Sequence, residues 1–346
     1  MATVLRRIDH AVATRAPFFI STPNLNFLVT SQSDAEFRAS LHLSDVCTAD
    51  GMPLVWLAKL LGIPIRDRLA GADLFEALKA TKDVDPLKVF LFGGAEGVAA
   101  SACERINSHG GGLTCAGSYY PGFTPVDEMS TDDIVDTVNA SKADILVAAL
   151  GAKKGQTWLL RNHERIRIPV RAHLGATIGY QAGSVKRAPA FMQKLGLEWL
   201  WRIKEEPQLW QRYWNDGWTF LRLMLTRIVP LLLVSRRAER QWGSKPRDLV
   251  VNRVDDQKSV ILKLEGVATA KTVGKAIAVF ESVLLEKKDV VINFSNIGLI
   301  DARFLGLLGV LDKRLGRERL RLSFAEIPPP IKRILHLSGF EFLQRR

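Results

Sequence analysis

Asp50 stands in the run Thr48-Ala49-Asp50-Gly51-Met52-Pro53, just after a strand or turn and ahead of a helix expected over 54–61. A carboxylate at such a junction lies at the mouth of an open α/β sheet, where it can take a proton from a substrate hydroxyl. The same place suits a helix cap, because a side-chain oxygen there accepts a first-turn N–H. Spacing alone leaves both readings open. Thr22, Asn24 and Asn26 form a polar cluster in the first expected loop, and Arg68 with Asp73 follow in the third. If the sheet is parallel and these loops share its C-terminal edge, carboxylate, amide, hydroxyl and guanidinium groups line one crevice.

Phosphate chemistry is suggested by the strand expected over 88–92, whose turn carries Gly93, Gly94 and Gly97 before a helix over 98–106. Strand, glycine turn and helix aim backbone N–H groups at an anion; equally, glycine there lets the chain reverse with φ > 0. A second case is the strand over 144–150, followed by Gly151, Lys153 and Lys154. G-G-x-x-G falls short of the dinucleotide fingerprint, and no acidic residue stands at a strand end about twenty positions on, so NAD is not expected. The six histidines (10, 42, 109, 163, 173 and 336) lack H-x-x-x-H or H-E-x-x-H spacing, so neither a metal nor a cofactor is expected. Charge on a phosphate must then be met by Arg, Lys and backbone N–H groups.

The elements that position these residues occupy 16–182, where short apolar runs alternate with amphipathic stretches, the pattern of a wound α/β domain. From 183 to 242 the composition changes. Six of the eight tryptophans (199, 201, 210, 214, 218 and 242) fall there, and eleven Lys or Arg against five acids give +6, half the net charge of +12. Trp rings and Arg stems suit the headgroup region of an anionic membrane; alternatively the rings fill a helical core behind a basic face. The most apolar stretch, 219–234, has about 16 residues against the roughly 20 a spanning helix needs. Arg222, Arg227 and Pro230 interrupt it, so lying on the surface is expected rather than spanning. Beyond a polar turn at 244–248, strands over 249–254, 260–264, 290–294 and 320–325 and helices over 270–286, 302–315 and 331–337 make a separate α/β domain of about 100 residues.

A pI of about 9.8 favours partners that carry phosphates. The chain lacks a basic helix-turn-helix or an aromatic RNA motif, so nucleic acid is not among them. Cys47, Cys103 and Cys115 form no C-x-x-C pair, so neither a disulfide framework nor a zinc site is expected and a reducing cytoplasm fits. Arg6, Arg7, Asp9 and Arg15 near the start, with no apolar run between them, speak against a secretory signal.

Seven ordered motifs between 18 and 213 carry a resemblance to a known family. They are Thr22-Pro23-Asn24, Ala49-Asp50-Gly51-Met52-Pro53-Leu54-Val55-Trp56, Arg68-Leu69-Ala70-Gly71-Ala72-Asp73-Leu74 and Phe90-Leu91-Phe92-Gly93-Gly94, then Leu150-Gly151-Ala152-Lys153-Lys154-Gly155-Gln156, Arg187-Ala188-Pro189 and Leu195-Gly196-Leu197-Glu198-Trp199 with Arg202 behind it. The chain resembles the bacterial WecG/TagA/CpsF glycosyltransferases. The resemblance implies a Rossmann-like catalytic domain over 1–182 and inverting, metal-independent transfer of an N-acetylhexosamine-type sugar from a UDP-sugar to a polyprenyl-diphosphate-linked sugar. It implies Asp50 as base, with Thr22, Asn24, Arg68, Asp73, Gly93, Gly94, Lys154 and Gln156 around the substrates. The appendage over 183–242 would meet the inner face of the cell membrane and bring Arg187, Arg202 and Arg212 to the acceptor diphosphate. The sequence departs from the family where Gly155 displaces the expected glutamine to 156, and where Gly179 replaces a common Asp. Residues 243–346 resemble the STAS fold, most clearly at 290–308, and imply a protein partner. Ala302 stands where signalling members carry a phosphorylatable serine, so no phospho-switch is expected there. The alternative to an enzyme is a non-catalytic member that acts as a STAS-like scaffold.

Overall fold

The computed structural model describes residues 1–81, 85–242 and 248–340. They form two units, Met1–Leu57 with Ile65–Gly217, and Ala58–Pro64 with the chain from Trp218 onward. The polar turn expected at 244–248 and the boundary at 243 fall largely outside the described residues.

In the first unit, short runs of apolar and β-branched residues give six strands: β1 (Phe18–Ser21), β2 (Val46–Cys47), β3 (Leu87–Gly93), β4 (Leu113–Tyr119), β5 (Ile145–Ala149) and β6 (Val170–His173). They pair in the order β2-β1-β6-β5-β3-β4, and every pairing is parallel. Side chains alternate along each strand, so two cores form. Ile20, Leu91 and Val147 face one way with Ile8, Leu74 and Ile106 from the helices Ala2–Thr14, Gly71–Ala80 and Val98–His109. Phe19, Phe92 and Leu146 face the other way with Val138 and Trp158 from Asp132–Ala140 and Ala152–Arg161. Burial on both faces explains why the inner strands β3 and β5 read as apolar runs over 89–92 and 145–149.

Because all six strands run the same way, the loops after β1, β2, β3, β5 and β6 share one edge, as the crevice requires. One expectation is corrected here. Cys103, on Val98–His109, and Cys115, on β4, are paired as a disulfide with Cα atoms 5.1 Å apart. The helix packs directly on the strand, a long-range contact that cysteine spacing does not encode.

The second unit has β7 (Val250–Asp255), β8 (Ser259–Ala268), β9 (Asp289–Ile300) and β10 (Leu322–Ala325) in the order β10-β9-β8-β7. The β7–β8 hairpin is antiparallel and the other pairings are parallel. The helices Val273–Leu284, Ala302–Arg317 and Pro329–Leu337 complete the core through Phe280, Phe304, Leu308 and Ile334. Leu231, Ala238 and the Trp242 ring also pack here. Trp242 lies flat on Gly298, where any Cβ would fall 2.2 Å from the indole.

The appendage expected over 183–242 is therefore not a third body: its first part belongs to the first unit and its last part to the second. Pro230 does not break its long helix, which runs 34 residues from Leu209 to Trp242. A π-turn over Met224–Ile228 precedes the proline, closed by the Val229 N–H donating to Met224 O, and the chain stays helical through Pro230. By length and apolarity this helix could cross a membrane, which the shorter apolar stretch in the sequence had not suggested.

Candidate active site

Strand β2 is only two residues long, and its continuation is held by neighbouring loops. Thr48 N donates to Ser21 O at 3.0 Å, Asp50 N to Pro23 O at 2.7 Å, and Leu69 N to Ala49 O at 2.9 Å. The 22–24, 48–50 and 68–70 segments are thus fastened together at the sheet's C-terminal edge. The Asp50 carboxylate accepts from the Gly71 N–H, at the N-terminus of Gly71–Ala80. Burial pushes its carboxyl up from 3.8 to about 7; the Glu198 charge adds to the rise, Arg68 and the Gly71 N–H oppose it, and Asp73 adds again. The result is a carboxyl that exchanges its proton near neutrality, the property a general base needs.

Around it lies a charged network. Arg68 donates from Nη1 to Glu198 Oε2 at 2.6 Å and from Nη2 to Asp73 Oδ2 at 3.2 Å, and reaches Gln193 Oε1 at 3.4 Å. Asp73 also accepts from the Ala70 N–H at 3.2 Å, and its other oxygen pairs with Arg187. The Arg187 Nε is buried without a partner. Arg202 pairs with Glu206 at 2.7 Å and donates to the Tyr180 hydroxyl at 3.4 Å. Arg68, Asp73 and Arg187 therefore gather beside Asp50. Arg202 lies next to them through Tyr180, whose pKa is raised by burial and also feels Glu198 and Arg187. Arg212 is exposed, its guanidinium 5.1 Å from the centre of the Tyr213 ring.

The other expected residues have structural partners. Thr22, buried, donates to His173 O at 3.1 Å. Asn24 caps Leu25–Ser33 by accepting from Phe27 N at 3.2 Å. The Gly94 N–H donates to Ala149 O at 2.8 Å, so the glycine turn joins β3 to the end of β5 and this N–H is not offered to phosphate. Lys154 Nζ donates to Thr124 O at 3.1 Å, and Lys153 pairs with Asp34 at 2.8 Å. Gln156 is corrected as a substrate contact: it is fully enclosed and exchanges hydrogen bonds of 2.8 and 3.2 Å with Ser21. The departure at position 155 has a local cause. A Cβ on Gly155 would fall 2.2 Å from the His173 ring, which is buried and lowered by desolvation to a pKa of about 4. Gly179 lies close to Val185, 3.2 Å from where its Cβ would stand.

Sequence reasoning gave no role to Glu198, Gln193 or Tyr180, although Glu198 lay within a quoted motif. Its pairing with Arg68 spans 130 residues of chain, and no local pattern signals it. Among the described residues no cluster of three or more His, Cys, Asp or Glu is placed to hold a metal ion.

An all-parallel sheet with a carboxylate set among arginines at its C-terminal edge is where an open α/β fold takes a ligand. The chain belongs to the glycosyl transferase WecG/TagA/CpsF family, which matches residues 1–231. It is 30% identical over 194 residues, 56% of this chain and 74% of the relative, to the N-acetylglucosaminyldiphosphoundecaprenol N-acetyl-beta-D-mannosaminyltransferase of Bacillus spizizenii. Residues 237–345 match a Mlab, STAS domain. Among solved structures, an anti-sigma factor antagonist from Mycobacterium paratuberculosis is similar over 29% of this chain and 86% of its own, with 18% identity and a TM-score of 0.27. The Bacillus cell fate determinant SpoIIAA in its phosphorylated form covers 28% of this chain and 87% of its own, with 15% identity and a TM-score of 0.24.

Proposed function

We propose that this chain moves an N-acetylhexosamine-type sugar from a UDP-sugar onto a polyprenyl-diphosphate-linked sugar, with inversion and without a metal, in cell-surface or exopolysaccharide synthesis. The observation that carries the reading is Asp50, a carboxyl raised to about 7 and set beside paired arginines. Its carboxylate takes the acceptor hydroxyl proton as that oxygen attacks the anomeric carbon. The bond from that carbon to the diphosphate breaks, and UDP leaves from the opposite face with the electron pair. Arg68 and Arg187, paired with Glu198 and Asp73, supply positive charge for a diphosphate, and Arg202 stands beside them. The curated relative's name, with its diphosphoundecaprenol-linked acceptor, supports this acceptor class.

The enzyme works at the inner face of the cell membrane in this reading. The long helix exposes Trp210, Trp214, Trp218, Leu221, Leu225 and Leu233 at steps mostly of three or four residues, and Trp214 is 70% exposed. Such a stripe suits the boundary of headgroups and acyl chains. Of the other appendage tryptophans, Trp201 donates to Lys186 O at 3.0 Å and Trp242 packs on Gly298, which supports a packing role for these two. The second unit is proposed to bind a protein partner without phosphorylation at position 302, where alanine offers no hydroxyl.

The test is transfer from radiolabelled UDP-sugars to a short-chain polyprenyl-diphosphate sugar by the wild type and by Asp50→Ala. Transfer that survives the substitution overturns the base; no transfer from any donor favours the non-catalytic scaffold.

A further inference from the structure

The helix Leu209–Leu223 is built inside out. Trp210, Trp214 and Trp218 are exposed, and the one residue of the helix that is buried, at 5% exposure, is Asp216. An amphipathic helix that docks on a protein ordinarily turns apolar side chains inward. Burying a carboxylate has a cost, seen here as a pKa raised first by desolvation and only partly restored by Asn26 and Arg212. The compensating contact is specific. Asn26 Nδ2 donates to both Asp216 oxygens, at 3.2 and 3.1 Å, across 190 residues of chain.

Asn26 lies two residues from Asn24, which caps the helix Leu25–Ser33, and three from Pro23, whose carbonyl holds the Asp50 N–H. A short path of covalent and hydrogen bonds thus runs from the tryptophan-bearing helix to the backbone of the base. We propose that Asp216 is a positioning residue: through Asn26 it docks this helix on the helix Leu25–Ser33, whose preceding loop holds Asp50, so that a surface engaged by the tryptophans presents its lipid-held acceptor to the base. The proposal rests on the reaction read above and adds the contact that couples membrane engagement to the site.

The experiment uses the full chain with vesicles of anionic phospholipid, and its first readout needs no reaction. Vesicle binding should slow amide exchange across Leu25–Ser33 in the wild type and fail to do so in Asp216→Ala. The exchanged pair N26D/D216N, which keeps an amide opposite a carboxylate, should restore the slowing that N26D alone abolishes. In the second readout, Asp216→Ala should raise KM for a long-chain acceptor embedded in the vesicles by about tenfold, the scale of one charge-assisted hydrogen bond. With a soluble short-chain acceptor kcat/KM should stay within about twofold. Equal slowing of exchange in Asp216→Ala overturns the proposal, as does an equal loss on both acceptors or an exchanged pair no better than N26D. A wild type that transfers to neither acceptor overturns the reaction instead and leaves the exchange result to decide the docking.

Discussion

Two aspartates stand at the same kind of junction, one in each unit. Asp301 follows β9 and opens Ala302–Arg317; Asp50 follows β2 and precedes Met52–Leu60. Asp301 gives both oxygens to backbone, accepting from Phe304 N at 2.9 Å and from Ala270 N at 2.6 Å. It caps its helix and ties down the loop after β8. Asp50 has the Gly71 N–H, from a different helix, and shares its surroundings with Glu198 and Asp73. The same residue at the same kind of turn is devoted to stability in one unit and held against its own charge in the other. Local position is common to both, and the difference comes entirely from what long-range packing brings to each.

The strongest way to break this contrast is Asp50→Asn. Transfer should fall by about 10²- to 10⁴-fold, the range for loss of a general base. Stability should move the other way. Below pH 3.8 both folded and unfolded chains hold the Asp50 proton; between 3.8 and about 7 only the folded chain does, so stability falls as pH rises through that window. Asp50→Asn should therefore raise the melting temperature at pH 8 relative to wild type, with less gain at pH 4. Full activity, or a lower melting temperature at pH 8, would remove the distinction from Asp301.

The pH profile sharpens it. The rise of kcat/KM with pH should have its midpoint near 7. Glu198→Gln removes a negative neighbour and leaves Arg68 with one carboxylate partner instead of two, and both changes move the midpoint down. Arg68→Gln should move it up. Midpoints that stay put in both variants would show that Asp50 does not set the profile.

Next in size is the aromatic stripe. Replacing Trp210, Trp214 and Trp218 together by serine should weaken sedimentation with anionic liposomes by tenfold or more, since each ring carries a large apolar area. The fold should be unaffected, because the rings are exposed. Unchanged sedimentation would detach this face from the membrane.

Much of the fold was legible. Runs such as 89–92 and 145–149 are apolar at every position because these strands lie inside the sheet and are covered on both faces, and the glycine turns behind them follow from local backbone needs. Asp50, Arg68, Asp73 and Arg187 could be picked out by type and motif, and the parallel sheet brings them together. The illegible part was what packing decides. Nothing near Gln156 says that Ser21 will enclose it, nothing near Glu198 says that it will face Arg68, and the spacing of Cys103 and Cys115 is silent on their pairing. Nor does the sequence show that the helix continues through Pro230, behind a π-turn over Met224–Ile228.

The smallest effect on transfer belongs to the other aspartate, which makes it the control for the whole contrast. Asp301→Ala leaves the Phe304 and Ala270 N–H groups without their acceptor, one at a helix N-terminus and one in the loop after β8. Loss of such a cap costs about 1 kcal/mol, up to about 2. The melting temperature should therefore drop by a few degrees, read by calorimetry. Transfer to a soluble acceptor, measured below that temperature, should stay within about twofold of wild type. Loss of transfer in a folded Asp301→Ala chain would show that the second unit takes part in the reaction, and the division between a stabilising and a reacting aspartate would fail.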